Sequence, residues 1–214
     1  MRTANRARES LTVARTGTTG VPAEAQPTIR LLANAYLRCL TGLLNSVDLR
    51  QVEAAVTSLR HARDVGASVF VIGNGGSAAT ASHFATDLVN MSKRAGARPV
   101  KVMSLVDNAA WLTAQANDTG YDTVFAGQLE TFAARGDVLI AISASGNSPS
   151  ILTAVEVARG RAMTIIALVG FDGGMLVDAA DIAIHVRSTP GLYGPVEDVH
   201  LALQHIISGC LAEV

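Results

Sequence analysis

Apolar positions along the chain follow two different periods. Leu31, Leu32, Ala35, Leu40, Leu43 and Leu44 mark one broad face at helical spacing, and Val52, Ala55, Val56 and Leu59 mark a second. Beyond them come short, nearly continuous apolar runs: Ser68 to Ile72, Val100 to Leu105, Val138 to Ile142, Thr164 to Val169 and Ile182 to Val186. Strands of this kind, alternating with helices, predict an α/β three-layer sandwich: a five-stranded parallel sheet covered on both faces, with extra helices before the first strand. The apolar faces of the first and last helices exceed what one small sheet can cover, which predicts self-association.

Two of the strands run into polar loops that open helices. The first delivers Gly73-Asn74-Gly75-Gly76-Ser77, and the third delivers Ser143-Ala144-Ser145-Gly146-Asn147-Ser148. Glycines let the backbone turn sharply and approach a ligand, serines supply hydroxyls, and the free N–H groups at a helix start favour an anion such as phosphate. Each loop alone could be a tight βα connection, with Ser148 acting only as an N-cap. Two of them in one small domain point to a phosphate site.

Candidate chemistry lies on two helices. His83 and Asp87 stand four apart after the first glycine loop, so both project from one helical face. Glu197, His200 and His205 lie in the last helix. Histidine and carboxylate at such spacing can bind a divalent metal or form a plain hydrogen-bonded pair. His61, beside Arg60 and Arg63, reads as a solvated residue, and His185 as a packed or surface histidine of the last strand.

Composition narrows the classes. The 214 residues are 49% hydrophobic and 4% aromatic, enough for one sizeable core. A net charge of −1 provides no field for nucleic acid or an anionic membrane, and no apolar run reaches the ~20 residues that span a bilayer. Cys39 and Cys210 have no metal-type spacing and read as packing residues in a reducing cytoplasm. Residues 1–26 carry Arg2, Arg6, Arg8 and Arg15 without apolar period and are expected to be a disordered tail, with an organellar transit peptide as the other reading; residues 27–214 form one domain.

GNGGSA at Gly73 to Ala78, Asn117-Asp118, SASGNS at Ser143 to Ser148 and a closing histidine-bearing helix together resemble the sugar isomerase (SIS) domain family, in its phosphoheptose isomerase branch. The resemblance runs from about Pro27 to the C-terminus. It implies a flavodoxin-like sandwich, a homotetramer with active sites at subunit boundaries, and a cytoplasmic enzyme that takes a sugar phosphate. Where the branch carries His-x-x-x-Glu, this chain has His83 and Asp87; where the branch carries Gln with a histidine eight positions later, it has Glu197 and His205. These four are the residues that the resemblance assigns to catalysis and, in several members, to zinc.

The resemblance therefore implies an aldose–ketose isomerase converting sedoheptulose 7-phosphate to a heptose aldose phosphate through an enediolate. Asp87 and His205 would exchange the proton, with His83, Asp87, Glu197 and His205 available to Zn²⁺. Substrate contacts fall to Asn74, Gly75, Gly76, Ser77, Asn117, Asp118, Ser143, Ala144, Ser145, Ser148 and Glu197, with Asn117 and Asp118 read as part of a loop. The chain departs from the pattern in four ways: Asp87 is one methylene shorter than Glu, Glu197 stands in place of Gln, Ala144 lacks the hydroxyl of the branch's threonine, and Gly194-Pro195 replaces an Asp-Arg pair. Two other classes remain open: a noncatalytic scaffold that binds the bacterial replication initiator, which lacks the second histidine that His205 supplies here, and a sugar-phosphate sensor, which needs a DNA-binding helix-turn-helix that the short tail cannot supply.

Overall fold

All five strands run parallel, in the order β2-β1-β3-β4-β5. The computed structural model describes residues 28–214; the expected disordered tail, residues 1–26, lies outside the described residues. α1 (Ile29–Asn45) and α2 (Leu49–Val65) precede β1 (Ser68–Gly73), α3 (Gly76–Arg94) and β2 (Lys101–Ser104). α4 (Ala109–Asp118), a short 3-10 turn (Tyr121–Thr123) and α5 (Ala126–Phe132) lead to β3 (Val138–Ser143). α6 (Pro149–Gly160), β4 (Thr164–Val169), α7 (Gly174–Ala179), β5 (Ile182–His185) and α8 (Tyr193–Glu213) complete the chain. Each strand lies within two residues of its expected place.

Cys39–Val214 forms a compact unit. Because side chains alternate along a strand, β1, β3 and β4 each feed two cores. Val69, Val71, Ile140, Ile142 and Leu168 pack with Leu59 of α2, Phe84 and Leu88 of α3, and Val199, Leu203 and Ile207 of α8. Phe70, Ile72, Leu139, Ala141 and Val169 pack on the other face with Leu129 of α5, Ile151 and Val155 of α6, and Leu176 of α7. This is the expected three-layer sandwich. The second half of α1 places Leu40 and Leu43 against the first core.

The expected surplus of apolar surface is present: Leu31, Leu32 and Leu37 of α1 and Ile206 of α8 are exposed. Cys39 is half-buried, whereas Cys210, expected to pack, is exposed on α8. Its helix turns that position outward, while Ile207 and Leu211 face the core. Among the described residues, no helix is long and apolar enough to cross a membrane.

Strand order places the site. β2 lies on one side of β1 and β3 on the other, so the loops after β1 and β3 diverge and leave a crevice at the carboxyl ends of the strands. Those are the two polar loops.

Candidate active site

The crevice is a cavity of about 190 Å³ lined by Asn74, Ser77, Ser143, Ala144, Ser145, Ser148, Tyr193 and Glu197. α3 opens at Gly75 and α6 at Ser148, both without a side-chain cap, so two helix N-termini lack a competing acceptor of their own. Gly75 turns with φ +57°, a conformation that favours glycine, and a side chain at Gly76 would collide with the Glu197 carboxylate.

Hydrogen bonds give the pocket its polarity. Ser143 Oγ accepts from the Gly146 N–H at 3.1 Å, Ser145 Oγ from the Asn147 N–H at 3.3 Å, and Ser148 Oγ from Asn74 Nδ2 at 2.8 Å. A hydroxyl whose oxygen is accepting has its own proton to give. The serines thus offer neutral donors suited to an oxyanion, and among the described residues the lining contains no lysine or arginine. Ala144, where a further hydroxyl is missing, is buried, and its carbonyl accepts from the Gly170 N–H at 3.1 Å.

Among the described residues, Glu197 is the only acid in that lining. Burial first, and then the like charge of Asp198, raise its pKa above the usual carboxylate range.

The second cluster joins α3 to α8. Asp87 Oδ2 lies 3.3 Å from His83 Nε2 and 3.6 Å from His205 Nε2. The two imidazoles meet edge to face with centroids 4.9 Å apart, and one donor atom from each of the three residues lies within 4.8 Å of the others. Zn–N bonds of ~2.0–2.1 Å in a tetrahedron put neighbouring donor atoms roughly 3.3 Å apart. Two histidines and a carboxylate at these separations fit a divalent metal. Glu197, which the resemblance offers as a further ligand, is not part of this group. The eight residues from Glu197 to His205 advance α8 by about 12 Å, which sends Glu197 to the serine pocket instead.

Asn117 and Asp118 are helical rather than part of a loop. α4 continues to Asp118 because its hydrogen bonding carries through to the Thr119 N–H on Gln115, and the chain turns only at Gly120, φ +100°. Asn117 Nδ2 donates to Asp118 Oδ1 at 2.9 Å, and both side chains are exposed. Neither lines the serine pocket.

Several residues near the site carried no signal in the sequence. Buried Gln204 donates to Asp87 Oδ2 at 3.4 Å, steadying the carboxylate between the histidines. Tyr193 lines the pocket, its ring edge to face with Phe171 at 5.0 Å. Tyr121 donates to Asn74 Oδ1 at 2.8 Å across a separation of 47 residues. His200, between Glu197 and His205 on α8, is fully buried, and burial lowers its pKa to about 4, the backbone of Val169 acting in the smaller, opposite sense. It is neutral at pH 7. His61 is exposed, as expected, and His185 Nε2 lies 3.1 Å from the Phe171 carbonyl oxygen.

Comparison with known proteins agrees with this geometry. Residues 35–170 match the SIS domain. The chain is 36% identical over 181 residues to the phosphoheptose isomerase of Citrifermentans bemidjiense, covering 84% of this chain and 91% of that one. It is 46% identical over 145 residues to the phosphoheptose isomerase of Mycobacterium tuberculosis, covering 67% and 71%. The structure of phosphoheptose isomerase GmhA from Neisseria gonorrhoeae superposes with a TM-score of 0.74 at 30% identity, covering 86% of this chain and 98% of that one. With its switch-point serine pocket and its matched histidines, this chain belongs to the SIS-domain family, in the phosphoheptose isomerase branch.

Proposed function

We propose that the protein isomerises sedoheptulose 7-phosphate to D-glycero-D-manno-heptose 7-phosphate, an aldose–ketose exchange through an enediolate. The observation that carries this reading is the meeting of His83, Asp87 and His205 on α3 and α8, since α3 also opens in the serine pocket. The ester phosphate sits in that pocket, taking the hydroxyl protons of Ser143, Ser145 and Ser148, the hydroxyl of Ser77 and the N–H groups of the Gly75-Gly76 turn. Asp87 and His205 exchange the proton: it leaves C1 of the ketose as the enediolate forms and returns to C2 of the aldose, with no net change in oxidation level. Gln204 and His83 hold the Asp87 carboxylate in place. Glu197, which lines the pocket, contacts the sugar hydroxyls near the phosphate. Asn117 and Asp118 contact substrate from the end of α4.

Zn²⁺ would be held by His83, Asp87 and His205, the three residues whose donor atoms meet. When bound it supplies Lewis-acid stabilisation of the oxyanion. The working particle is a homotetramer in the cytoplasm with active sites at subunit boundaries, supported by the exposed apolar residues of α1 and by the half-exposure of His83 and His205. Incubating purified protein with sedoheptulose 7-phosphate and following the aldose by NMR, with and without a chelator, tests the proposal. Absence of turnover on heptose phosphates by metal-loaded protein overturns it.

A further inference from the structure

A serine of the pocket can give its one proton to an anion only if that proton is not already given to another acceptor. For Ser143 and Ser145 the partner is a backbone N–H, whose polarity is fixed. For Ser148 it is the Asn74 side-chain amide, which has a donor end and an acceptor end. Something must decide which end faces the serine.

We propose that Tyr121 decides it, as a positioning residue of the phosphate pocket. Its hydroxyl donates to Asn74 Oδ1 at 2.8 Å, which turns the amino end toward Ser148 Oγ at 2.8 Å and Ser150 Oγ at 2.9 Å. In this orientation both N–H groups and the carbonyl of Asn74 are satisfied. Turned end for end, the amide would aim its carbonyl at two serine oxygens and draw their protons. Its two N–H groups would then share one phenol oxygen, leaving a donor unpaired. Ser148 would present lone pairs to the phosphate in place of a proton. Tyr121 itself is not among the residues lining the pocket, so its effect on the ligand passes through Asn74 and Ser148. This inference rests on the serine pocket being the phosphate site.

Tyr121→Phe keeps the ring and removes the donor at a side chain that is 55% exposed, so the fold is retained. Isothermal titration of the full chain with inorganic phosphate reads the pocket without any turnover. The expected result is a roughly tenfold weaker Kd in Tyr121→Phe, the scale of one hydrogen bond to a charged group. The KM for the sugar phosphate should rise by the same factor, with the loss falling on KM rather than kcat. In a Ser148→Ala background the same substitution should cost less than about twofold, because the two act as one unit. Unchanged phosphate affinity in Tyr121→Phe, or an equal loss with and without Ser148, overturns the proposal. Wild-type protein that binds phosphate but turns over no heptose phosphate would refute the isomerase reading and leave the Tyr121 assignment standing. Wild-type protein that binds no phosphate would refute the pocket and this inference together.

Discussion

The serine pocket and the His/Asp cluster are built on the same helix by opposite means. The pocket is made at strand ends, from backbone turns whose shape the parallel sheet imposes, and its donors are fixed by backbone or amide partners before any ligand arrives. The cluster is made of three side chains on helix surfaces, and two of them, His83 and His205, remain almost half exposed. Such a pocket is preorganised for binding. The cluster's geometry rests on rotamers and helix packing. Under the proposed function the loops supply affinity and the helices chemistry.

Breaking the cluster gives the largest expected effect. Asp87→Asn and His205→Asn should each lower kcat by ~10²–10⁴, the usual range for a positioned proton-transfer group, while the Kd for inorganic phosphate stays within about twofold. The double variant should be little worse than either single one, since groups acting in one step are not additive. A parallel collapse of phosphate affinity, seen by titration, would show that the two regions are not separable.

Metal removal sharpens the same division. A chelator should stop turnover and added zinc should restore it, with phosphate binding unaffected by either treatment. Full activity in preparations shown to be metal-free by elemental analysis would reduce His83 to a group that orients Asp87.

The converse substitution is Ser145→Asp, which puts a carboxylate among donors meant for an anion. Phosphate affinity should fall by at least ~100-fold through like-charge repulsion, with zinc binding at the cluster retained. Calorimetry with phosphate and with zinc on the same variant checks both halves; unchanged phosphate affinity would remove the second loop from the site.

His200 tests what the two regions share, because it is buried in α8 between Glu197 and His205. Its pKa is about 4 in the folded chain against 6.5 ordinarily, so on acidification the unfolded chain takes up the proton first. This contribution to stability is fully present above pH 6.5, and about 3 kcal/mol is lost as pH falls toward 4. Denaturant unfolding across that window should show the slope in wild type and a flatter profile in His200→Leu. Identical slopes would place the acid sensitivity elsewhere.

The smallest effect concerns a single donor. Ser143→Ala should weaken phosphate by a few-fold, about 1 kcal/mol, because the Gly146 N–H loses its acceptor along with the donated proton. Intact affinity would mean that the backbone N–H groups hold the anion unaided.

Local pattern and tertiary structure contributed differently to what is known of this chain. The strands, the two polar loops that follow β1 and β3 and the pairing of His83 with Asp87 were legible in the sequence, because strand period, turn chemistry and i, i+4 geometry are properties of neighbouring residues. The packing of Cys210, the loop expected at Asn117-Asp118 and a metal set containing Glu197 were not legible. Each depends on where a helix stops or which way it faces after packing. Only the tertiary structure brought His205 to Asp87 across 118 positions, buried His200 on the inner face of α8, and set Tyr121 on Asn74. Parallel β-strand order decides which loops share a crevice, and helix rotation decides which side chains meet. Both are settled by burying one continuous apolar surface, a sum over the whole chain that no single motif encodes.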